Sequence, residues 1–447
     1  MAIFAVVSAL PANAVADINP WIKSDLYNPA KWDTAGPETD TPWLHPGTWT
    51  PGQGWGWFSG DAQAPNIFGS WGGARDEFEA MGISFSLAYS GQLTANPVGG
   101  ETPDGASWIN DWSFATFIDF QRLLGSSQRT YFVASFDVEA GNAGLTPDYV
   151  GNYFPVQLSS SDDSRPQTRL VHAALGTQLF DNSTELVAGR IITGEDFATI
   201  ARACTSLNQS ICGNPIAGAS DIGFATYPNA VWGVRGKVKP GDRWYAQTAA
   251  YLVYPDLGDP DDHGVEFGAP DGSGILAVGE AGWNVGKRAG AGGLPGTYKA
   301  GAYYDTETLT DLQSGIDKRQ TWGAYAMGEQ MLYVEDESYS NGLWAWLAVS
   351  YAPPDVNNIT FMVAGGLSYI GPFAGRPNDA LSFIAAAGVF SDYLSGQSTE
   401  TVLGLNYRAQ ILPAVYVQPD IQYVINPDGR SDIDDAVVVG FALCATF

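Results

Sequence analysis

Arginine, amide and carboxylate side chains recur at alternate positions of otherwise apolar stretches. Over residues 399–411, Glu400, Asn406, Arg408 and Gln410 alternate with Thr401, Leu403, Leu405, Tyr407, Ala409 and Ile411. Over 414–425, Gln418, Asp420 and Gln422 alternate with Val415, Val417, Ile421, Tyr423 and Ile425. Successive side chains of a β-strand leave on opposite faces, so each stretch collects its polar groups on one side. The same reading gives that side Ser135, Asp137 and Glu139; His172 and Gln178; Arg190; Arg235 and Lys237; Gln247; and Lys299 and Asp305. Planar guanidinium, amide and carboxylate groups pair with neighbouring hydroxyls in bidentate fashion. A nearby aromatic then covers an apolar sugar face. The candidate set for such a constriction is Arg190, Glu195, Asp196, Arg235, Gln247, Arg408, Gln418 and Asp420. The competing reading makes these residues hydrated wall positions in an Arg–carboxylate ladder.

Catalytic chemistry finds little support. The chain has three histidines, and His45 lies in an irregular stretch. No G-x-S-x-G elbow, H-E-x-x-H pair or P-loop is present, and Gly282–Lys287 resembles a nucleotide loop only loosely. No cofactor is implied and no metal is expected. A carboxylate dyad keeps a glycosidase as a minor alternative. Cys204 and Cys212, eight apart in a loop-like segment, could pair in an oxidising compartment. Zinc fits less well, because His172 and His263 are distant in sequence. Cys444 is an unpaired strand residue.

The elements that would position these residues are strands. In the last stretch, Val437, Val439, Phe441, Leu443, Ala445 and Phe447 share one face, opposite small or mild residues. Candidate strands are 83–94, 112–121, 129–140, 168–180, 185–193, 229–239, 243–254, 274–284, 298–305, 320–333, 342–352, 358–370, 380–392, 399–411, 414–425 and 436–447. Sixteen segments of about ten residues match the ~9–11 residues that a tilted strand needs to cross a bilayer. Mean hydropathy is −0.07 and no apolar run approaches a membrane helix, which excludes a helical membrane protein. The 53 glycines, 21 tyrosines, 21 phenylalanines and 15 tryptophans suit turns and interfacial girdles, although secreted sandwiches share that composition.

Connections discriminate between the two folds. Short links 181–184, 240–242 and 412–413 follow the fourth, sixth and fourteenth segments; long links 141–167, 194–228 and 255–273 follow the third, fifth and seventh. With the N-terminal region at the periplasmic side, alternation puts short turns there and long loops outside. The expectation is therefore an all-β, sixteen-stranded antiparallel transmembrane barrel over 83–447. A short helix over 70–82 precedes it, with Ala74, Phe78 and Met81 on one stripe and Gly82 as C-cap. Before that the expectation places a signal peptide (1–14, ending in Ala12-Asn13-Ala14) and a Trp/Pro/Gly-rich irregular arm (15–69). The loop 194–228 either folds inward and narrows the pore, bringing Arg190 near Glu195 and Asp196, or covers the mouth.

Net charge is −27, from 21 basic and 48 acidic residues, so nucleic acid is a poor partner. Asp162, Asp163, Asp256, Asp259, Asp261, Asp262, Glu266, Asp432, Asp434 and Asp435 fall in outer loops. They either recruit cations, including ions bridging to lipopolysaccharide, or simply keep the surface soluble.

Several stretches resemble the carbohydrate-selective porins of the OprB family. They are Tyr407–Pro413 running into Val417–Pro427, Ser70–Arg75 followed by Gly82-Ile83, Ala188–Arg190 with Asp196-Phe197, Tyr298–Asp305, and Gly375–Asp379. The resemblance runs from about Phe68 to Phe447. It implies a barrel in the outer membrane of a Gram-negative bacterium, surrounded by lipid and lipopolysaccharide, as monomer or homotrimer. It implies facilitated diffusion of monosaccharides such as glucose, without cofactor or energy coupling. Arg190 and Arg408 match family motif positions. General cation-preferring diffusion is the second reading.

Overall fold

The computed structural model describes residues 64 and 66–447, apart from 143, 159–165, 181, 213, 256, 336–338 and 340. The proposed leader, nearly all of the Trp-rich arm, and Asp162, Asp163 and Asp256 lie outside the described residues.

Sixteen strands follow one another along the chain. The first eight are β1 (Ile83–Gly100), β2 (Gly105–Asp119), β3 (Thr130–Gly141), β4 (Gln167–Leu179), β5 (Thr184–Ile191), β6 (Val231–Val238), β7 (Trp244–Val253) and β8 (Gly274–Val285). The others are β9 (Gly296–Thr310), β10 (Asp317–Val334), β11 (Gly342–Tyr351), β12 (Ile359–Ile370), β13 (Ala380–Phe390), β14 (Thr399–Leu412), β15 (Val415–Ile425) and β16 (Asp434–Thr446). Each pairs antiparallel with its sequence neighbours, and β1 pairs with β16 from Ala88↔Thr446 to Gly100↔Asp434. The sheet is a closed barrel without an edge, the form that satisfies every strand's backbone inside lipid.

Alternation along the strands decides what faces where. On β14 and β15, Leu405 and Ile421 are 48% and 45% exposed on the outer wall, whereas Arg408 and Gln418 between them are 2% and 3% exposed inside. On β16, Val439 and Phe441 face out while Val438, Ala442 and Cys444 are buried. A charge turned to the lipid side at the midplane would cost about 2–4 kcal/mol, so register is strongly fixed.

Loop lengths depart in part from the expected alternation. Residues 142–166, 192–230 and 254–273 are long and emerge from one end, after β3, β5 and β7. From β9 onward the links at that end shrink to 311–316, 352–358, 391–398 and 426–433, similar in length to 335–341 and 371–379 opposite. The asymmetry belongs to half of the circumference, because only there does loop mass turn back into the lumen.

At the other end, the helix α1 (Ala74–Ala80) is shorter than the expected 70–82 and is preceded by a 3-10 turn at Trp71–Gly73. Gly82, at φ +90°, reverses the chain into β1, a conformation that strongly favours glycine. The stripe of Phe78 and Met81 is not buried: they are 36% and 45% exposed, at the rim. Phe78 meets Phe85 edge-on at 5.5 Å, and Phe68 packs on Phe447 at 5.2 Å. Arg75 donates from Nη1 to the Phe447 carbonyl (3.2 Å) and from Nη2 to that of Phe85 (3.1 Å), clasping the β1–β16 seam.

Candidate functional site

Inward-facing acids and amides of the wall fix two loops inside the barrel. The loop 192–230 crosses the lumen. Near its start the Ala198 amide donates to Glu280 Oε2 on β8 (3.0 Å), and Gln247 Nε2 on β7 donates to the Asp196 carbonyl (2.5 Å). Midway, Gln418 Nε2 on β15 donates to the Thr205 carbonyl (2.9 Å), and Asn208 Nδ2 to Gln422 Oε1 (3.1 Å). Further on, the Ala217 amide reaches Ser350 Oγ on β11 (2.7 Å) and the Gly223 amide reaches Glu307 Oε2 on β9 (3.0 Å). Phe197, Ile200, Leu207, Ile211 and Phe224 are buried along it. A disulfide joins Cys204 to Cys212 within this loop.

The described part of 142–166 is also inside, which the sequence reading did not foresee. Glu400 on β14 accepts from the amides of Tyr153 (2.7 Å) and Phe154 (2.9 Å), and Gln422 Nε2 donates to the Val156 carbonyl (3.0 Å). A loop in a barrel lumen must find partners for its amides and carbonyls. Glu280, Glu307 and Glu400 supply acceptors at three places.

The eight candidate residues fall on two flanks of the crossing loop. On the first flank, Arg235 Nη2 lies 2.6 Å from Glu185 Oε2 and its Nε lies 3.1 Å from Asp196 Oδ1. Gln247 bridges the Asp196 carbonyl and Glu280 Oε1. The expected approach of Arg190 to Glu195 and Asp196 is not an ion pair among the described residues. Arg190 Nε donates to the Leu170 carbonyl (3.0 Å), Glu195 pairs with His172 Nε2 (3.0 Å), and Asp196 takes Arg235. The short helical turn Thr193–Asp196 accounts for this, since it carries both acids past the end of β5 toward β4 and β6.

On the second flank, Arg408 stands over the Tyr416 ring with Cζ 4.7 Å from its centroid. Asp420 Oδ1 accepts from Gln422 Nε2 (2.9 Å), and Gln418 is committed to Thr205. Strand register extends this flank into a polar band: Trp344 lies opposite Ser368, Ser368 opposite Ser382, Ser382 opposite Asn406, and Asn406 opposite Asp420. Arg202, which sequence reasoning missed, projects from the loop onto this band with Cζ 4.3 Å from the Trp344 ring centroid. Arg202 is 2% exposed. Cation–π contacts of desolvated arginines are worth about 2 kcal/mol. The clue in the sequence was an arginine among small residues two positions before Cys204; its partner lies far along the chain.

On β2 and β3, Asp111, Asp137 and Glu139 bring carboxylate oxygens within 4.8 Å of one another, and Tyr227 Oη donates to Asp137 Oδ1 (2.5 Å). Among the described residues this is the donor set whose chemistry suits a hard cation.

An edgeless sixteen-stranded barrel with an apolar exterior, a polar interior and a loop across the lumen defines an outer-membrane diffusion channel. The model of the carbohydrate-selective porin OprB family matches residues 104–447, and the chain belongs to that family. Porin B of Pseudomonas aeruginosa is 26% identical over 430 residues, covering 87% of this chain and 93% of that protein. The putative porin QuiX of Acinetobacter baylyi is 25% identical over 421 residues, covering 85% and 93%. The high-pH structure of Pseudomonas putida OprB superposes with a TM-score of 0.79 at 22% identity, covering 86% of this chain and 99% of that one. The protein is thus a porin of the Gram-negative outer membrane, a channel rather than an enzyme.

Proposed function

We propose that the protein admits monosaccharides such as glucose by facilitated diffusion through a constriction formed where the loop 192–230 crosses the lumen. The observation that carries this is the arginine–aromatic pairing on the second flank, Arg202 over Trp344 and Arg408 over Tyr416, beside Asn406 and Asp420. Arginine, amide and carboxylate side chains set beside aromatic rings match in kind the alternation of hydroxyls and apolar C–H faces on a pyranose. Binding is weak, so that the site still releases its solute. In this reading residues 1–14 are a secretion leader, 15–69 an arm at the periplasmic mouth, and the long loops face outside.

The test is single-channel conductance in a planar bilayer with glucose titrated into the salt. Saturable block at millimolar glucose is expected, weakened in Arg408→Ala. Open channels indifferent to sugar would overturn the proposal. A cation-preferring general pore is the second reading, supported by the exposed acids Asp259, Asp261, Asp432, Asp434 and Asp435. Reversal potential in a salt gradient separates the two.

A further inference from the structure

A second place in the molecule has the chemistry of a carbohydrate site. A cavity of about 360 Å3 opens where the two inward loops meet the 352–358 link, at the long-loop end of the barrel. Its volume falls within the ~300–1,000 Å3 of small-molecule sites and leaves room for a hexose with bound water or a disaccharide. Tyr153 and Phe154 form one wall, with ring centroids 5.9 Å apart, and Ile216, Ile359 and Met362 add apolar surface.

The rim is held by bonds that leave other groups free. Asp221 Oδ1 accepts from Tyr153 Oη (2.8 Å) and Asn358 Nδ2 (2.6 Å), while Oδ2 accepts from the Asn358 amide (2.9 Å). Asn214 Nδ2 is spent on the carbonyls of Gly194, Phe197 and Ala198. The turn Gln209–Cys212 is fixed by the Gln209 amide on the Pro155 carbonyl (2.9 Å) and by the disulfide to Cys204. By contrast, the side chains of Gln209, Ser210 and Thr226 line the cavity and make no hydrogen bond to any described residue. The one carboxylate of the lining has both oxygens engaged, and no lysine, arginine or histidine lines it. An unengaged amide and two hydroxyls, set against aromatic and apolar walls without free charge, suit a neutral polyhydroxylated ligand rather than an ion.

We propose that this cavity is a capture subsite for a neutral mono- or disaccharide, occupied before the solute reaches the constriction. The proposal deepens the sugar-uptake reading and rests on it for its ligand class.

The experiment is equilibrium binding of glucose and of maltose to folded, detergent-solubilised protein, followed by saturation-transfer NMR. Ser210→Trp fills the cavity; Gln209→Leu combined with Thr226→Val removes two of its three free polar groups without changing its size much. Heat-modifiable gel mobility and an unchanged open-channel conductance establish that each variant is folded, and either variant alone suffices. The expected result is at least fivefold weaker sugar binding in the cavity variants, with a saturable component persisting in Arg408→Ala. Loss of binding in Arg408→Ala with none in the cavity variants would overturn the subsite and leave the constriction standing. Cavity-dependent binding in a channel whose conductance ignores sugar would sustain the subsite and overturn the constriction. Absence of saturable binding by the unmodified protein would overturn the subsite outright.

Discussion

Arg235 ties the barrel wall to the crossing loop by charge. It is 3% exposed and lies between Glu185 and Asp196, joining the barrel wall to the first turn of the crossing loop. Truncation would leave two carboxylates facing each other in a dry region, and removing one partner of a buried pair costs about 3–5 kcal/mol. Arg235→Ala should therefore release the start of the loop, giving larger conductance with more current noise; a quiet channel of normal conductance would refute this. Arg408 differs, because its ring contact is not a loop anchor. Arg408→Ala should keep conductance near normal and weaken glucose block several-fold, a loss of about 1–2 kcal/mol. The wall residues of this set were legible because period-two alternation assigns a face to each. Their partners were not legible. Nothing local says that Glu195 turns to His172 and Asp196 to Arg235, because the choice is made by a four-residue turn beyond the end of β5.

At the scale of elements, all sixteen strands were readable in the sequence, since lipid on one side and water on the other impose alternation along each. The inward course of 142–158 was not. A loop amide that ends on Glu400 leaves no periodic trace, and glutamate on an inner face reads equally well as a hydrated wall residue. Loop docking also makes one element sensitive to pH. Burial pushes the Asp221 carboxyl up to about 6, while its bonds from Tyr153 and Asn358 pull it down. The folded-state value lies above the unfolded one of ~3.9, so between these limits the docked loop holds the extra proton. Its stability is greatest below about pH 4 and falls as pH rises toward 6, by on the order of 2–3 kcal/mol in total. Loop-gating noise should accordingly increase between pH 4 and 6.5 and then level off, and Asp221→Asn should flatten that rise; a noise profile identical in both proteins would contradict it. At the other end, Arg75 closes the seam between the first and last strands. Arg75→Ala should lower the temperature of heat-modifiable unfolding, by an amount corresponding to about 1.5–3 kcal/mol for each charged hydrogen bond lost, without altering sugar block.

For the whole molecule, the question is what a net charge of −27 does to a pore proposed for neutral solutes. Part of the acid content is inside and consumed: Glu280, Glu307 and Glu400 accept loop amides, and Glu185 faces Arg235. Another part is exposed at the long-loop end, where Asp259, Asp261, Asp432, Asp434 and Asp435 surround the entrance. Exposed charges act over a Debye length, about 10 Å at 0.1 M salt and ~3 Å at 1 M. The mouth should therefore favour cations at low ionic strength and lose that preference as salt rises. Asp259→Asn/Asp261→Asn should move the reversal potential toward zero in a 0.1 M to 1 M gradient. Glucose carries no charge, so the same variant should leave the concentration for half-maximal sugar block unchanged. If block weakens in parallel with cation preference, entrance charge and sugar recognition share one site, and the constriction at the crossing loop is not where selectivity arises.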